Sequence, residues 1–282
     1  MKRIWLVYEQ GNVARNAFFI HEWMEAGRAL SAEIILVLYE DLRYGLRNGR
    51  LYADWQGRED LPDAAVLRVN QPLLSAHLEA MGIPVFNNAR VAAICNDKRA
   101  THQAVSHLVH AMDTVFLHGD EQDSPLPYPV VVKAAHSCGG RQVYLAANGE
   151  EFRQALRAIY PDSALAQALC DTPGRDVRAY VMGREIIAVL MRYSEHDFRS
   201  NIGQGGSAVP YALDAQTEGL VRRIALLFDF GLAGIDFLMH RGRLVFNEIE
   251  DAVGTRMLFA NGHADIVRRY LAFILNNLER KT

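Results

Sequence analysis

The chain is predicted to be a mixed α/β and α+β protein built on more than one sheet, and three patterns in its 282 residues lead there. Short β-type runs alternate with helical ones through the first third. A compact strand, loop, strand, helix, strand unit fills the middle, and antiparallel character begins near Asp176. In residues 3–92 the order is IWLVY, a helix over 13–29, EIILVLY, AAVLRV, a helix over 73–81 and IPVF, the pattern of a largely parallel sheet of Rossmann-like type. Residues 44–60, rich in Gly, Arg and polar side chains, break the alternation as a long loop or an irregular hairpin. A helix over 97–110 and the strand TVFLH follow, and then GDEQDSPLPYP, whose prolines mark a linker or long turn. Strands over 130–134, 142–146 and 164–168 enclose a helix over 150–159. RAYVMG and REIIAVLMRY open the last part, before a polar loop, a helix over 214–228, a hairpin and a helix over 264–278. Lobes are expected at 1–92, 93–168 and 169–282.

Composition narrows the function. With 50% hydrophobic residues the chain can bury a substantial core. A net charge of -3 without long runs of one sign argues against nucleic acid as the main partner. No apolar run approaches the roughly 18 to 20 residues that span a bilayer, so no membrane association is expected. The 3 cysteines are scattered and form no CxxC, which fits a reducing cytoplasm better than a disulfide or zinc framework.

The most informative segment is GIDFLMHRGRLVFNEIEDAVGTR, residues 234–256. Two apolar runs flank a short Arg-Gly segment, the signature of two antiparallel strands. If the turn takes three residues, Arg241 to Arg243, Asp236 lies opposite Glu248. Glu250 then joins Glu248 on the same face by the period of two. A turn one residue shorter breaks the alignment. Three carboxylates with few nearby cations in sequence would repel, and they suit magnesium, a hard cation that takes oxygen ligands and substrate phosphates. The bland alternative is a solvated acidic strand end.

Further motifs carry positive charge or glycine. Lys133 ends an apolar run before Ser137, Cys138, Gly139 and Gly140, where glycine lets backbone amides approach phosphate, although no P-loop pattern is met and a plain hairpin turn reads equally well. Lys98 heads a helix, a position that helix polarity disfavours, and so is either a phosphate clamp or a surface lysine. The loop HDFRSNIGQGGS presents Arg199, Asn201 and the turn Gly205, Gly206, Ser207. With Arg192 at the preceding strand end, it looks built to hold an anion. Arg68 and Asn70 sit at a strand end, where ligands meet open α/β sheets, and one of them would bind a substrate carboxylate, with Arg15 as a weaker candidate; Arg256, just past the acidic hairpin, would also read the amino-acid substrate. The histidines near 102–118 read as surface or helix-packing residues.

In this order the elements NDK (96–98), PVVVK (129–133), GRDVRAYVMG (174–183), DFRSNIGQGGS (197–207), GIDF (234–237) and FNEIE (246–250) resemble the ATP-grasp superfamily, most closely its RimK-like carboxylate-amine ligases. The resemblance implies a three-lobed ATP-grasp fold with a small central lobe and a C-terminal antiparallel-sheet lobe, and ATP gripped between these two. It implies phosphate contacts from Lys98 and Lys133, a hinge strand of Gln167, Ala168, Leu169 and Cys170 facing adenine, and Arg192 facing the γ-phosphate or acyl phosphate. It further implies the reacting anion at Arg199 and Asn201, and magnesium, with manganese as the alternative, at Asp236, Glu248 and Glu250. Two positions depart from the family pattern: Glu250 stands where asparagine is usual, and Ala168 replaces a hinge acid, leaving Asp171 or Asp176 as substitutes. The expected reaction joins a carboxylate to an amine through an acyl phosphate, with an amino acid or peptide among the small-molecule substrates and a homo-oligomer as a compatible state. A nucleotide-binding scaffold and a small-molecule kinase are the rivals.

Overall fold

The structure is a computed structural model describing residues 1–57, 60–137, 141–194, 197–198 and 207–280. Its first strand, β1 (Lys2–Tyr8), is apolar on both faces because helices cover both sides. Ile4, Leu6 and Tyr8 enter one core while Trp5 and Val7 enter another. A short helix α1 (Gln10–Val13), the longer α2 (Ala17–Ala29) and strand β2 (Ala32–Leu38) follow. Of the segment 44–60, read as a loop or a hairpin, the described residues up to Trp55 form most of the antiparallel pair β3 (Leu42–Arg47) and β4 (Arg50–Trp55), which among the described residues stands as a sheet of its own. Strand β5 (Ala64–Leu67), helix α3 (Pro72–Ala80) and strand β6 (Val85–Phe86) complete a four-stranded parallel sheet of order β2-β1-β5-β6, as the alternation predicts.

Two helices then lead into the middle. The first, α4 (Ala89–Cys95), is not foreseen in the sequence; Asn88 caps it by accepting from Val91 N at 2.9 Å. The boundary expected at residue 92 therefore falls inside a helix. The second, α5 (Lys98–Val105), is capped by Asp97 and is shorter than the expected 97–110. The chain has left helical geometry by His110, whose O accepts from Phe246 N at 2.8 Å. Strands β7 (Thr114–Phe116), β8 (Val130–Ala134) and β9 (Val143–Ala146), helix α6 (Gly149–Ile159) and strand β10 (Ala164–Ala168) form the middle unit, an antiparallel sheet of order β7-β10-β8-β9. Phe152, Leu156 and Ile159 of α6 fill its core.

The last sheet contains β11 (Arg175–Met182), β12 (Glu185–Tyr193), β13 (Ser207–Pro210), then, after helix α7 (Ala215–Phe228), β14 (Leu232–His240) and β15 (Arg243–Glu250), in the order β13-β12-β11-β14-β15. One of its faces packs on α7, α4 and α5 through Val221, Phe228, Val91 and Val105. The other shares a core with β1, β5, α2 and two final helices, α8 (Arg256–Ala260) and α9 (Ile266–Glu279). Among the described residues no helix is long and apolar enough to cross a membrane.

Candidate active site

The hairpin of β14 and β15 builds the site, though by a different route from the one its sequence predicts. The turn has two residues, not three: His240 pairs with Arg243, and Arg241 and Gly242 both take positive φ, 51° and 70°, as a tight hairpin with the twist of its strands requires. The alignment survives because a β-bulge follows. Phe237 pairs with Phe246 while Asp236 pairs with Glu248, so Asn247 is the extra residue. Phe246 and Ile249 both stay in the core, and Asn247 and Glu248, adjacent in sequence, both line one cavity.

That cavity lies between the middle and last sheets. Of the residues singled out from sequence, the structure brings Lys98, Lys133, Ser137, Gln167, Ala168, Leu169, Cys170, Asp176, Arg192 and Glu248 to its wall. Val131, Val143 and Leu238 give it an apolar side, and Phe198 also lines it. Lys133 is buried, and its Nζ donates to Gln167 Oε1 at 2.7 Å and Asn247 Oδ1 at 2.8 Å, both neutral amides. Burial pulls its ammonium down to about 8, against the attraction of Glu248. Lys98 donates to Ser137 O and lies 3.4 Å from Glu248 Oε2. One turn along α5, His102 stacks edge-on against Phe246; burial, then Lys133, lower its imidazole to about 4, so that it is neutral near pH 7.

Beneath the cavity runs a row of alternating charges. Arg192 Nη2 donates to Asp176 Oδ2 at 2.6 Å and to Asp236 Oδ2 at 2.7 Å. Arg178 grips Asp236 through Nε at 2.7 Å and Nη2 at 2.6 Å, and its Nη1 lies 2.9 Å from Glu250 Oε2. Burial by itself would raise Asp236, but Arg178 and then Arg192 hold it below the ordinary carboxylate range. Gly234 makes room for the row, since a Cβ there would stand 3.0 Å from Arg178 Cδ and 2.8 Å from a Val253 methyl carbon. The expectation of three carboxylates with few cations beside them in sequence, free to hold a metal, is corrected at Asp236: it is fully buried, and both its oxygens are bound by guanidiniums that β11 and β12 bring from far away in sequence. Among the described residues no three His, Cys, Asp or Glu side chains form a metal-ligating group.

Other expected residues are placed differently. Gln167 is turned toward Lys133 and Thr114 and orients the lysine rather than offering a free amide edge. Asp171 is drawn away to the hairpin turn, accepting from Arg241 N at 2.8 Å, and Asp176 is held by Arg192, so neither hinge substitute presents an unpaired carboxylate. Arg68 and Arg256 do not line the cavity. Arg68 Nη2 donates to Val253 O at 3.0 Å and Arg256 Nη2 to Arg15 O at 3.1 Å, so both tie the first sheet's loops to the segment after β15. Asn70 is exposed, and Ser207 is the exposed start of β13. Cys138, Gly139, Gly140, Arg199, Asn201, Gly205 and Gly206 lie outside the described residues. Sequence reasoning missed Arg178 and Asn247. A charged residue inside the apolar strand DVRAYVM signals the first; the second depends on the bulge and leaves no local sign.

A cleft between two antiparallel α+β units, with two lysines facing an acidic hairpin, matches a known domain. The model of the RimK-like ATP-grasp domain fits residues 98–274, well over half of the chain. The chain belongs to the RimK-like ATP-grasp family. A RimK domain ATP-grasp protein from Sphaerobacter thermophilus shares the fold with a TM-score of 0.74, at 21% identity, over 97% of this chain and 99% of that one. Among curated relatives, a probable alpha-L-glutamate ligase of Stenotrophomonas maltophilia is 28% identical over 224 residues, 75% of each chain. The human N-acetylaspartylglutamate synthase A is 27% identical over 213 residues, 68% of this chain and 54% of that protein. Two Mycoplasma proteins, each 29% identical, are matched over 61% and 60% of their own lengths, so the chain spans about six tenths of these relatives.

The ATP-grasp family uses ATP with a divalent metal, and the donor set here can be weighed against that metal. Glu248 and Glu250 are hard oxygen donors with side chains 24% and 21% exposed, each giving one oxygen to a cation of the protein. Magnesium is commonly held by one or two carboxylates together with substrate phosphates and water. Glu248 and Glu250 fit that arrangement, while Asp236 stands behind Glu250, joined to it through Arg178.

Proposed function

We propose that this protein is an ATP-dependent ligase that joins a small carboxylate to an amine through an acyl phosphate, with an amino acid or peptide as one substrate. The observation that carries the reading is Lys133, a buried ammonium whose described partners are two neutral amide oxygens, in a cavity shared with Lys98. A buried cation without a bound carboxylate favours an anionic ligand. The apolar wall of Val131, Val143 and Leu238 suits a purine, with Lys98 and Lys133 at its phosphates.

Glu248 and Glu250 would hold the divalent cation, which neutralises phosphate charge when bound. Phosphoryl transfer asks mainly for positioning and charge stabilisation, and this chain supplies both from rigid strands. Lys98 reaches the phosphates from α5, Lys133 from β8, and Arg192, held by Asp176 and Asp236, presents fixed positive charge on the cavity wall. Arg68 and Arg256, between the first sheet and the segment after β15, would meet a carboxylate of the acid or amine substrate. Arg199 and Asn201 complete the reading at the reacting anion.

The test is product analysis by mass spectrometry, with ATP, magnesium, and a panel of amino acids and small carboxylates, for wild type and Glu248→Gln. ADP, phosphate and an amide should appear together only when acid and amine are both present, and Glu248→Gln should lower the rate by about 100-fold. ADP formed without any amine would replace the ligase with a kinase. ATP bound yet never consumed across the panel would replace it with a scaffold.

A further inference from the structure

Beside the cavity, next to Lys98, lies a cluster that the reaction scheme leaves unused. His136 follows β8 by two residues, at the exit of the strand that carries Lys133. Its backbone N donates to Asp162 Oδ2 at 3.1 Å, and its Nδ1 lies 2.6 Å from Asp162 Oδ1, in the turn before β10. On the other side its Nε2 is 3.5 Å from Asp97 Oδ2, the N-cap of α5. Asp97 also binds Arg99, with Nη2 to Oδ2 at 2.7 Å. Both acids stay below the ordinary carboxylate range. Burial opposes this at each, but is outweighed by Arg99 at Asp97 and by His136 at Asp162.

The cluster sits where two elements of the cavity meet. Lys98 N donates to Ala135 O at 3.0 Å and Lys98 Nζ to Ser137 O, so the residues on either side of His136 hold the lysine at both ends. We propose that His136 is a positioning residue for the nucleotide phosphates: clamped between Asp162 and Asp97, its ring fastens the exit of β8 to the start of α5 and so fixes where Lys98 stands. The inference rests on the nucleotide reading of the cavity.

The ring meets an acid on each side, with Nδ1 at Asp162 and Nε2 toward Asp97, so it bridges the turn before β10 and the N-cap of α5. Among the described residues the charged groups that face it are Asp97 and Arg99 with Lys98 from α5, and Asp162 from the turn before β10. The His136 side chain is 49% exposed, so solvent screens what the clamp adds to about three- to fivefold in nucleotide affinity.

The experiment is calorimetric binding of ATP with magnesium to the full chain, as wild type, His136→Ala and His136→Gln. Wild type should bind about three- to fivefold more tightly than His136→Ala. His136→Gln keeps one donor for Asp162 and should recover part of that affinity, a rescue that loss of ring packing alone would not give. Equal affinities for wild type and His136→Ala would overturn the clamp while leaving the nucleotide site intact. Absence of ATP binding by wild type would overturn both. Should His136→Ala fail to fold, the comparison of His136→Gln with wild type decides alone, and equal affinities there overturn the clamp.

Discussion

Lys133 carries its charge against the pull of its surroundings, and that has a consequence for stability. Its ammonium is fully enclosed and titrates at about 8 rather than the ordinary 10.5. Between those values the unfolded chain binds the proton and the folded chain does not, so stability rises with pH across this window. Lys133→Met removes the effect. In nucleotide-free denaturant melts, the stability of wild type relative to Lys133→Met should therefore improve by up to about 3 kcal/mol from pH 8 to 10.5. At this scale the sequence was informative for groups whose type betrays them: Lys98 at a helix start, Lys133 at a strand end, and carboxylates two residues apart. It was silent on partners. Arg178 lies 58 residues from Asp236 in sequence, and what turned a supposed free ligand into an anchored acid was a pairing of β11 with β14 that no local pattern encodes.

The β14–β15 hairpin shows how far element patterns carry and where they stop. Alternation located both strands, and the facing of Asp236 and Glu248 was read correctly from a turn length that was not, because the shorter turn is offset by the bulge at Asn247. Arg241 takes a left-handed conformation at the first turn position, where asparagine is better tolerated. Arg241→Asn should stabilise the protein by up to about 1 kcal/mol, seen as a raised Tm, because the contact with Asp171 runs through the backbone N and is kept. The helices were legible where an apolar stripe was long, as in α6, α7 and α9. Seven residues were too few for periodicity to separate α4 from a loop. The expected length of α5 was too long because the chain beyond Val105 runs across to β15, where Phe246 N donates to His110 O.

Across the whole molecule one core joins the first sheet to the last. Trp23 of α2 meets Tyr270 of α9 edge-on, with ring centroids 5.6 Å apart, and Leu271 is fully buried in a core that also holds Ile4, Val66 and Leu232. The first sheet and the final helix thus share one interior. Leu271→Ala should cost about 2 to 5 kcal/mol and lower a single melting transition, with tryptophan fluorescence and circular dichroism moving together; separate transitions would show the sheets to fold independently. Sequence reading found each sheet but not this sharing, since nothing near residue 23 points to residue 270. The buried row Asp176, Arg192, Asp236, Arg178, Glu250 spans three neighbouring strands of the last sheet and the edge strand beyond, with three acids to two bases. Reversing the sign of Asp176, Arg192, Asp236 or Arg178 leaves its enclosed partner without the opposite charge that holds it, and only a matched second change restores the pairing. These four enclosed positions therefore answer to substitution as one unit, in which a change that is harmful alone is expected to be softened by the opposite change in its partner.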